Sequence, residues 1–138
     1  MIEYLYSLEN LTEDDLDTGF FVGWPNPPSL STFYDILKNS TYIVLAYDQD
    51  KSKVVGFINA LSDKVLSAYI PLLEVIPDYQ NQGVGTKLVE LMIEQLADLY
   101  MVDLLCDHEL QDFYMNKGMK KAEGMMIRNY KYQSGRLY

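Results

Sequence analysis

The 138-residue chain has one cysteine, Cys106, so no disulfide can close within it. Cys106 sits in the largely apolar run Met101–Cys106, with His108 as the only histidine near it. That setting reads as a buried, inert thiol rather than a nucleophile. No apolar run approaches the roughly 18 residues that a bilayer span needs. The start, Met1-Ile2-Glu3-Tyr4, carries no basic, signal-like segment. The expectation is a cytoplasmic protein without a membrane partner. Basic residues are also scarce, with 11 Lys and Arg against 20 Asp and Glu and a net charge of −9. Nonspecific nucleic-acid binding requires a basic face, so that partner is not expected. An acidic surface attracts cationic amines, yet solubility alone would also account for it. There is no internal repeat, and the one proline-rich stretch, Gly23–Pro28, is too short for a linker and reads as an ordered loop.

What is present suits an ordinary globular core. Apolar residues make up 49% of the chain and charged residues 22%. The length fits one domain over residues 1–138, stabilised without metal. Ile2 to Leu8 reads as a first strand, and Thr12 followed by Glu13, Asp14 and Asp15 as a short helix start. Ser29 or Ser31 caps a helix carrying Leu30, Phe33, Tyr34 and Leu37. Tyr42–Tyr47 and Val54–Leu61 are strands about a polar turn. Val65–Ile76 is a long strand that Pro71 must interrupt, because proline has no ladder donor. Gln82-Gly83 opens an amphipathic helix with Val84, Leu88, Leu91, Met92 and Leu96 on one face. Val102–Cys106 is the next strand and Glu109–Lys117 a short helix closed by Gly118. Met125–Tyr130 is the last strand. The order β-α-α-β-β-β-α-β-α-β predicts an α/β fold whose mixed sheet is mostly antiparallel, flanked by helices.

The chemistry concentrates in Leu72–Leu88. Gly83 and Gly85 fall where a strand and its loop become a helix. Positions without side chains let the N–H groups of Gly83, Val84, Gly85 and Thr86 approach an anion, and the helix N-terminus adds positive partial charge. Taken alone, this spacing leaves a pyrophosphate cradle and an empty glycine turn equally open. The P-loop pattern and the dinucleotide fingerprint are both absent.

Gln80-x-x-Gly83-x-Gly85, preceded by Val75 and Pro77, resembles motif A of the GCN5-related N-acetyltransferase (GNAT) family. Phe113-Tyr114-Met115-Asn116-Lys117-Gly118-Met119 resembles that family's F-Y-x-x-x-G-F segment. The resemblance covers about Tyr42 to Tyr130. It implies a GNAT-like acyl-CoA N-acyltransferase fold, and an enzyme moving an acetyl group from acetyl-CoA to a primary amine without a metal. It implies that Leu73, Glu74 and Val75 pair with the pantetheine arm. Gln80, Gln82, Gly83, Val84, Gly85 and Thr86 would hold the pyrophosphate, with Phe113 and Tyr114 beside the coenzyme.

Tyr114 then matches the tyrosine that protonates the departing thiolate. A phenol of pKa about 10 remains a donor at neutral pH. Its alternative is plain packing between helix and sheet. Glu74 is the candidate general base, since a desolvated carboxylate becomes a better proton acceptor, or else a structural residue. His108 reads as a surface or capping residue. Asp107, where the family often has asparagine, reads as the N-cap of the following helix. Trp24, Phe20, Phe21, Tyr69 and Asn59 are candidate walls of the acceptor pocket. A non-catalytic acyl-CoA-binding sensor or interaction module is the competing function. A homodimer is compatible with the family, and the tail Tyr130–Tyr138 could serve an interface or fray.

Overall fold

A computed structural model of the chain describes residues 1–135. The sheet contains β1 (Ile2–Leu5), β2 (Tyr42–Asp48), β3 (Lys53–Ser62), β4 (Ser67–Tyr69), β5 (Leu73–Val75) and β6 (Met101–Asp103). Its order is β1-β2-β3-β4-β6, with β5 paired to β3 beyond β4. Every pairing is antiparallel except β4 with β6. The helices are α1 (Leu30–Asn39), α2 (Val84–Gln95) and α3 (Gln111–Met115).

β3 is buried along most of its length, so its sequence is a continuous apolar run rather than an alternation. Its two faces are nevertheless distinct. Phe57 joins an aromatic cluster with Phe33 of α1 and with Phe20 and Phe21, centroid separations running from 4.9 to 6.5 Å. Gly56, on the opposite face, lies so near Leu88 of α2 that a Cβ would meet its Cδ1 at 3.3 Å. Successive strand residues point to opposite faces, so the sheet is sandwiched between α1 and α2. Ser29 caps α1, its hydroxyl accepting from the Thr32 amide at 3.1 Å.

Four elements differ from the sequence expectation in extent. The first strand stops at Leu5, the sixth covers Met101–Asp103 rather than Val102–Cys106, and the helix expected over Glu109–Lys117 is a 3₁₀ turn at His108–Leu110 followed by α3. The long strand Val65–Ile76 is two short ones. Around Pro71 the chain leaves the ladder, and the buried Asn59 fills the gap: its Oδ1 accepts from Leu72 N at 3.1 Å and its Nδ2 donates to Ser40 Oγ at 3.0 Å. Asn59 is therefore a structural bridge, not a wall of the acceptor pocket. A fifth expectation is corrected outright: Met125–Tyr130 forms no strand. Residues 121–129 carry no regular structure, and a 3₁₀ turn follows at Tyr130–Tyr132. The expected tail interface, Tyr130–Tyr138, reaches into residues 136–138, outside those described.

Candidate functional site

α2 begins on a backbone built for exposed amides. Gly83 is its N-cap at φ 84°, and Asn81 before it also has a positive φ of 61°. A side chain at φ 84° is strained, whereas glycine is not. The first intrahelical bond is Lys87 N to Gly83 O at 3.1 Å. The four preceding amides, Gly83 to Thr86, have no acceptor within the helix, as the first turn of any α-helix dictates. A Cβ on Gly83 would meet nothing within 4 Å, so the loop is open at that position. This arrangement suits a phosphate group. The side chains around it are already engaged. Gln80 Nε2 donates to Val75 O at 2.9 Å and Gln82 Nε2 to Asp78 O at 3.0 Å. These two glutamines brace the loop, and Val84 is buried in the core. The turn at Pro77–Tyr79 is tethered by the Tyr79 hydroxyl, which donates to Asp48 Oδ2 at the end of β2. That bond pushes the Tyr79 phenol up to about 12 and holds the Asp48 carboxyl below its usual range. No motif in the sequence marks this tether.

β5 leads into the loop and exposes part of its backbone. Leu72 O accepts from Asn59 N, and Ile76 N donates to Val55 O, so residues 72, 74 and 76 turn their polar groups toward β3. Leu73 and Val75 therefore turn theirs away. Of the three residues expected to offer free backbone groups, Glu74 does not, since its main chain belongs to the ladder.

β4 continues alongside β6 through Ile70 N to Asp103 O at 2.9 Å, while β5 follows β3. The sheet thus splits at Pro71. The split is a cleft of about 960 Å³, lined among others by Trp24, Tyr69, Leu73, Glu74, Cys106 and Tyr114. A smaller pocket of about 240 Å³ adjoins it between Gly19, Val22, Trp24, Glu74 and Gln80.

The two candidate catalytic side chains line this one cleft. Tyr114 is 8% exposed and packs edge-on against Phe113 at 5.0 Å. Burial, followed by the nearby Cys106, pushes its phenol up to about 12. Glu74 is half-buried, and burial raises its pKa against the opposing effect of a hydrogen bond from Phe21 N at 2.8 Å. Phe21 itself is held at φ 62°, unusual for a residue with a Cβ. The sequence did not show this contact, although it offered Phe20, Phe21 and Trp24 as candidate walls of the acceptor pocket. Phe20 and Phe21 are buried in the aromatic cluster, so of the aromatics in that segment only Trp24 lines the cleft. Phe113 packs against Tyr114 and under Lys117 Nζ at 5.3 Å.

Three other expectations meet the structure here. Cys106 is half-buried at the cleft wall rather than sealed in the core. Asp107 holds the N-cap position, but its side chain makes no capping bond. His108 is exposed, as a surface residue should be. Among the described residues no cluster of His, Cys, Asp or Glu could hold a metal, and no helix is long and apolar enough to cross a membrane.

Known proteins share both the sequence and this architecture. A solved structure of a candidate acetyltransferase from Deinococcus radiodurans R1 is 44% identical, covers 99% of this chain and 94% of its own, and superposes with a TM-score of 0.94. A GNAT-family acetyltransferase from Streptococcus pneumoniae TIGR4 is 29% identical, with 94% of this chain and 98% of its own covered, at a TM-score of 0.70. The histone acetyltransferase TAP1 of Glycine max is 34% identical over 110 residues, 72% of this chain and 47% of that protein. The chain thus spans about half the length of that relative and of a chloroplastic GCN5-related N-acetyltransferase from Arabidopsis thaliana, 46% of which it covers. With the acetyltransferase (GNAT) family profile matching residues 6–119, the chain belongs to that family.

Proposed function

We propose that the protein is an N-acetyltransferase that moves an acetyl group from acetyl-CoA to a primary amine, with Tyr114 as general acid and Glu74 as general base. The observation that carries this reading is one cleft shared by a buried phenol and a desolvated carboxylate, beside four free helix-start amides. A thioester bound there supplies an activated acyl carbon. The amides of Gly83 to Thr86 would hold the donor's pyrophosphate, and the outward backbone groups of Leu73 and the N–H of Val75, whose carbonyl accepts from Gln80, would pair with its pantetheine amides.

An ammonium must lose a proton before it can attack. Glu74 is suited to take it, because burial has raised its affinity for a proton while Phe21 N–H fixes one oxygen. Tyr114, protonated at any physiological pH, is suited to supply the proton that the departing sulfur needs. Trp24 and the small pocket behind Glu74 are the proposed acceptor side. We place the activity in the cytoplasm. Cell fractionation with an antibody against the chain checks that, and recovery from an organelle would refute it.

Thiol release from acetyl-CoA, measured with a panel of amines, tests the activity. Turnover of at least one amine, lost in Tyr114→Phe, is the expected result. A melting temperature raised by acetyl-CoA without turnover of any amine would instead indicate a non-catalytic coenzyme-binding module.

A further inference from the structure

The amides of Gly83 to Thr86 can converge on an anion only if the loop before them is held in place. Two of that loop's residues, Asn81 and Gly83, have left-handed backbone at φ 61° and 84°, and for Asn81 this is an uncommon conformation. Most of the loop's hydrogen bonds are internal. Gln80 Nε2 reaches Val75 O, Gln82 Nε2 reaches Asp78 O, and Gln80 N donates to Pro77 O at 3.2 Å. Such bonds shape the loop but do not place it against the sheet.

Placement comes from one side-chain bond. Among the described residues, the Tyr79 hydroxyl donating to Asp48 Oδ2 is the only hydrogen bond that joins residues 77–82 to chain outside 75–83. Asp48 is suited to be the fixed end. It closes β2, is 7% exposed, and its Oδ1 accepts from Asp50 N at 2.9 Å in the turn to β3. Lys51 N bonds the same carboxylate, and Lys51 Nζ stands 5.2 Å from the centre of the Tyr79 ring. One carboxylate thus joins the turn between β2 and β3 to the loop that starts α2. With the phenol at about 12 and the carboxyl below its usual range, the donor stays protonated and the acceptor ionised at neutral pH. Hydrogen bonds to an ionised acceptor are the stronger kind. Neither Tyr79 nor Asp48 lines the cleft or the smaller pocket beside it.

We propose that Tyr79 and Asp48 are positioning residues for the nucleotide end of the donor, their bond holding the four amides where the pyrophosphate binds. This inference rests on the acetyl-CoA reading and deepens it. The tether becomes a determinant of donor choice, because a thioester without the pyrophosphate, such as S-acetylpantetheine, gains nothing from it.

Calorimetry with coenzyme A, and initial rates with acetyl-CoA and S-acetylpantetheine, test this. Tyr79→Phe keeps the ring beside Lys51 and loses one hydroxyl. Its Kd for coenzyme A and KM for acetyl-CoA should each rise about fivefold, or about 1 kcal/mol. kcat at saturating acetyl-CoA should stay within about twofold of wild type, the mark of lost binding rather than lost chemistry. kcat/KM for S-acetylpantetheine should not move, a selectivity that general loosening of the fold does not produce. Asp48→Ala should weaken coenzyme A binding at least as much, and the double variant no more than Asp48→Ala alone, because both act through one bond. Asp48→Asn, which keeps an acceptor without the charge, should fall between wild type and Asp48→Ala. Asp48→Ala also loosens the turn after β2, so binding is measured below its unfolding midpoint. An unchanged coenzyme A affinity in Tyr79→Phe overturns the proposal, as does an equal loss with both donors. A wild type that binds no coenzyme A overturns the acetyl-CoA reading itself, and the tether's role with it.

Discussion

Replacing Tyr114 with phenylalanine separates chemistry from architecture in this fold. Tyr114 is 8% exposed, yet among the described residues its hydroxyl has no hydrogen-bond partner in the chain. Its ring packs on Phe113 at 5.0 Å, a contact that phenylalanine reproduces. Removing the oxygen opens no cavity of methyl size and orphans no donor, so stability should change by no more than about 0.5 kcal/mol. The proposed loss of a proton donor is far larger. General acid catalysis contributes roughly 10²- to 10⁴-fold, or about 2.7–5.4 kcal/mol of barrier. The assay is thiol release at saturating acetyl-CoA with an amine that the wild type turns over, alongside thermal unfolding. The expected outcome is a fall in kcat of at least about 100-fold, with little change in melting temperature or in the KM for acetyl-CoA. The wild-type rate should show no loss attributable to Tyr114 ionisation below pH 10, because its phenol is pushed up to about 12. A Tyr114→Phe enzyme with near-wild-type kcat would refute the general-acid assignment, whatever its stability.

Glu74→Gln keeps an acceptor for Phe21 N–H but cannot take a proton. Activity should fall about 100-fold or more, and the acidic limb of the pH–rate profile should vanish. Because burial raises the Glu74 pKa in the folded state, its favourable contribution is full below the unfolded value and fades as pH rises through the folded one. The glutamine variant should therefore unfold at the same or a higher temperature than wild type at pH 7, and a marked drop would refute this reading. Asp63 shows the opposite linkage. The amides of Leu66, Val65 and Ser67 hold its carboxyl down to about 2, so the stability it adds above the ordinary aspartate pKa is lost as pH falls toward that value. Asp63→Ala should lower the melting temperature at pH 7 and flatten its acid dependence; equal pH profiles would count against it. Gly83→Glu puts a side chain at φ 84° and a negative charge among the free amides. It should cost about 1–2 kcal/mol of stability and raise the Kd for coenzyme A at least tenfold by calorimetry, and an unchanged Kd would sink the pyrophosphate assignment.

What the sequence by itself determined is local. Ser29 before an apolar period of three to four predicts α1, and Gly83 ahead of Val84, Leu88 and Met92 predicts α2 and its open amides. Side-chain periodicity and backbone freedom act over a few residues, so both are legible from neighbours alone. The Gln80-to-Gly85 pattern with Phe113-Tyr114 likewise pointed to the right family. Tertiary structure decided the rest. Which backbone groups of β5 face the cleft depends on its register against β3, and Glu74 is lost from that set for this reason alone. The contact from Phe21 to Glu74 spans 53 positions and that from Tyr79 to Asp48 spans 31, separations over which no local pattern constrains geometry. Asn59 looked like a pocket residue because a polar side chain inside an apolar strand invites a functional reading. It proved instead to satisfy the backbone that Pro71 breaks. Met125–Tyr130 has the composition of a strand, but composition supplies only half of a ladder. A strand exists only where an edge pairs with it, and among the described residues none pairs with 125–130.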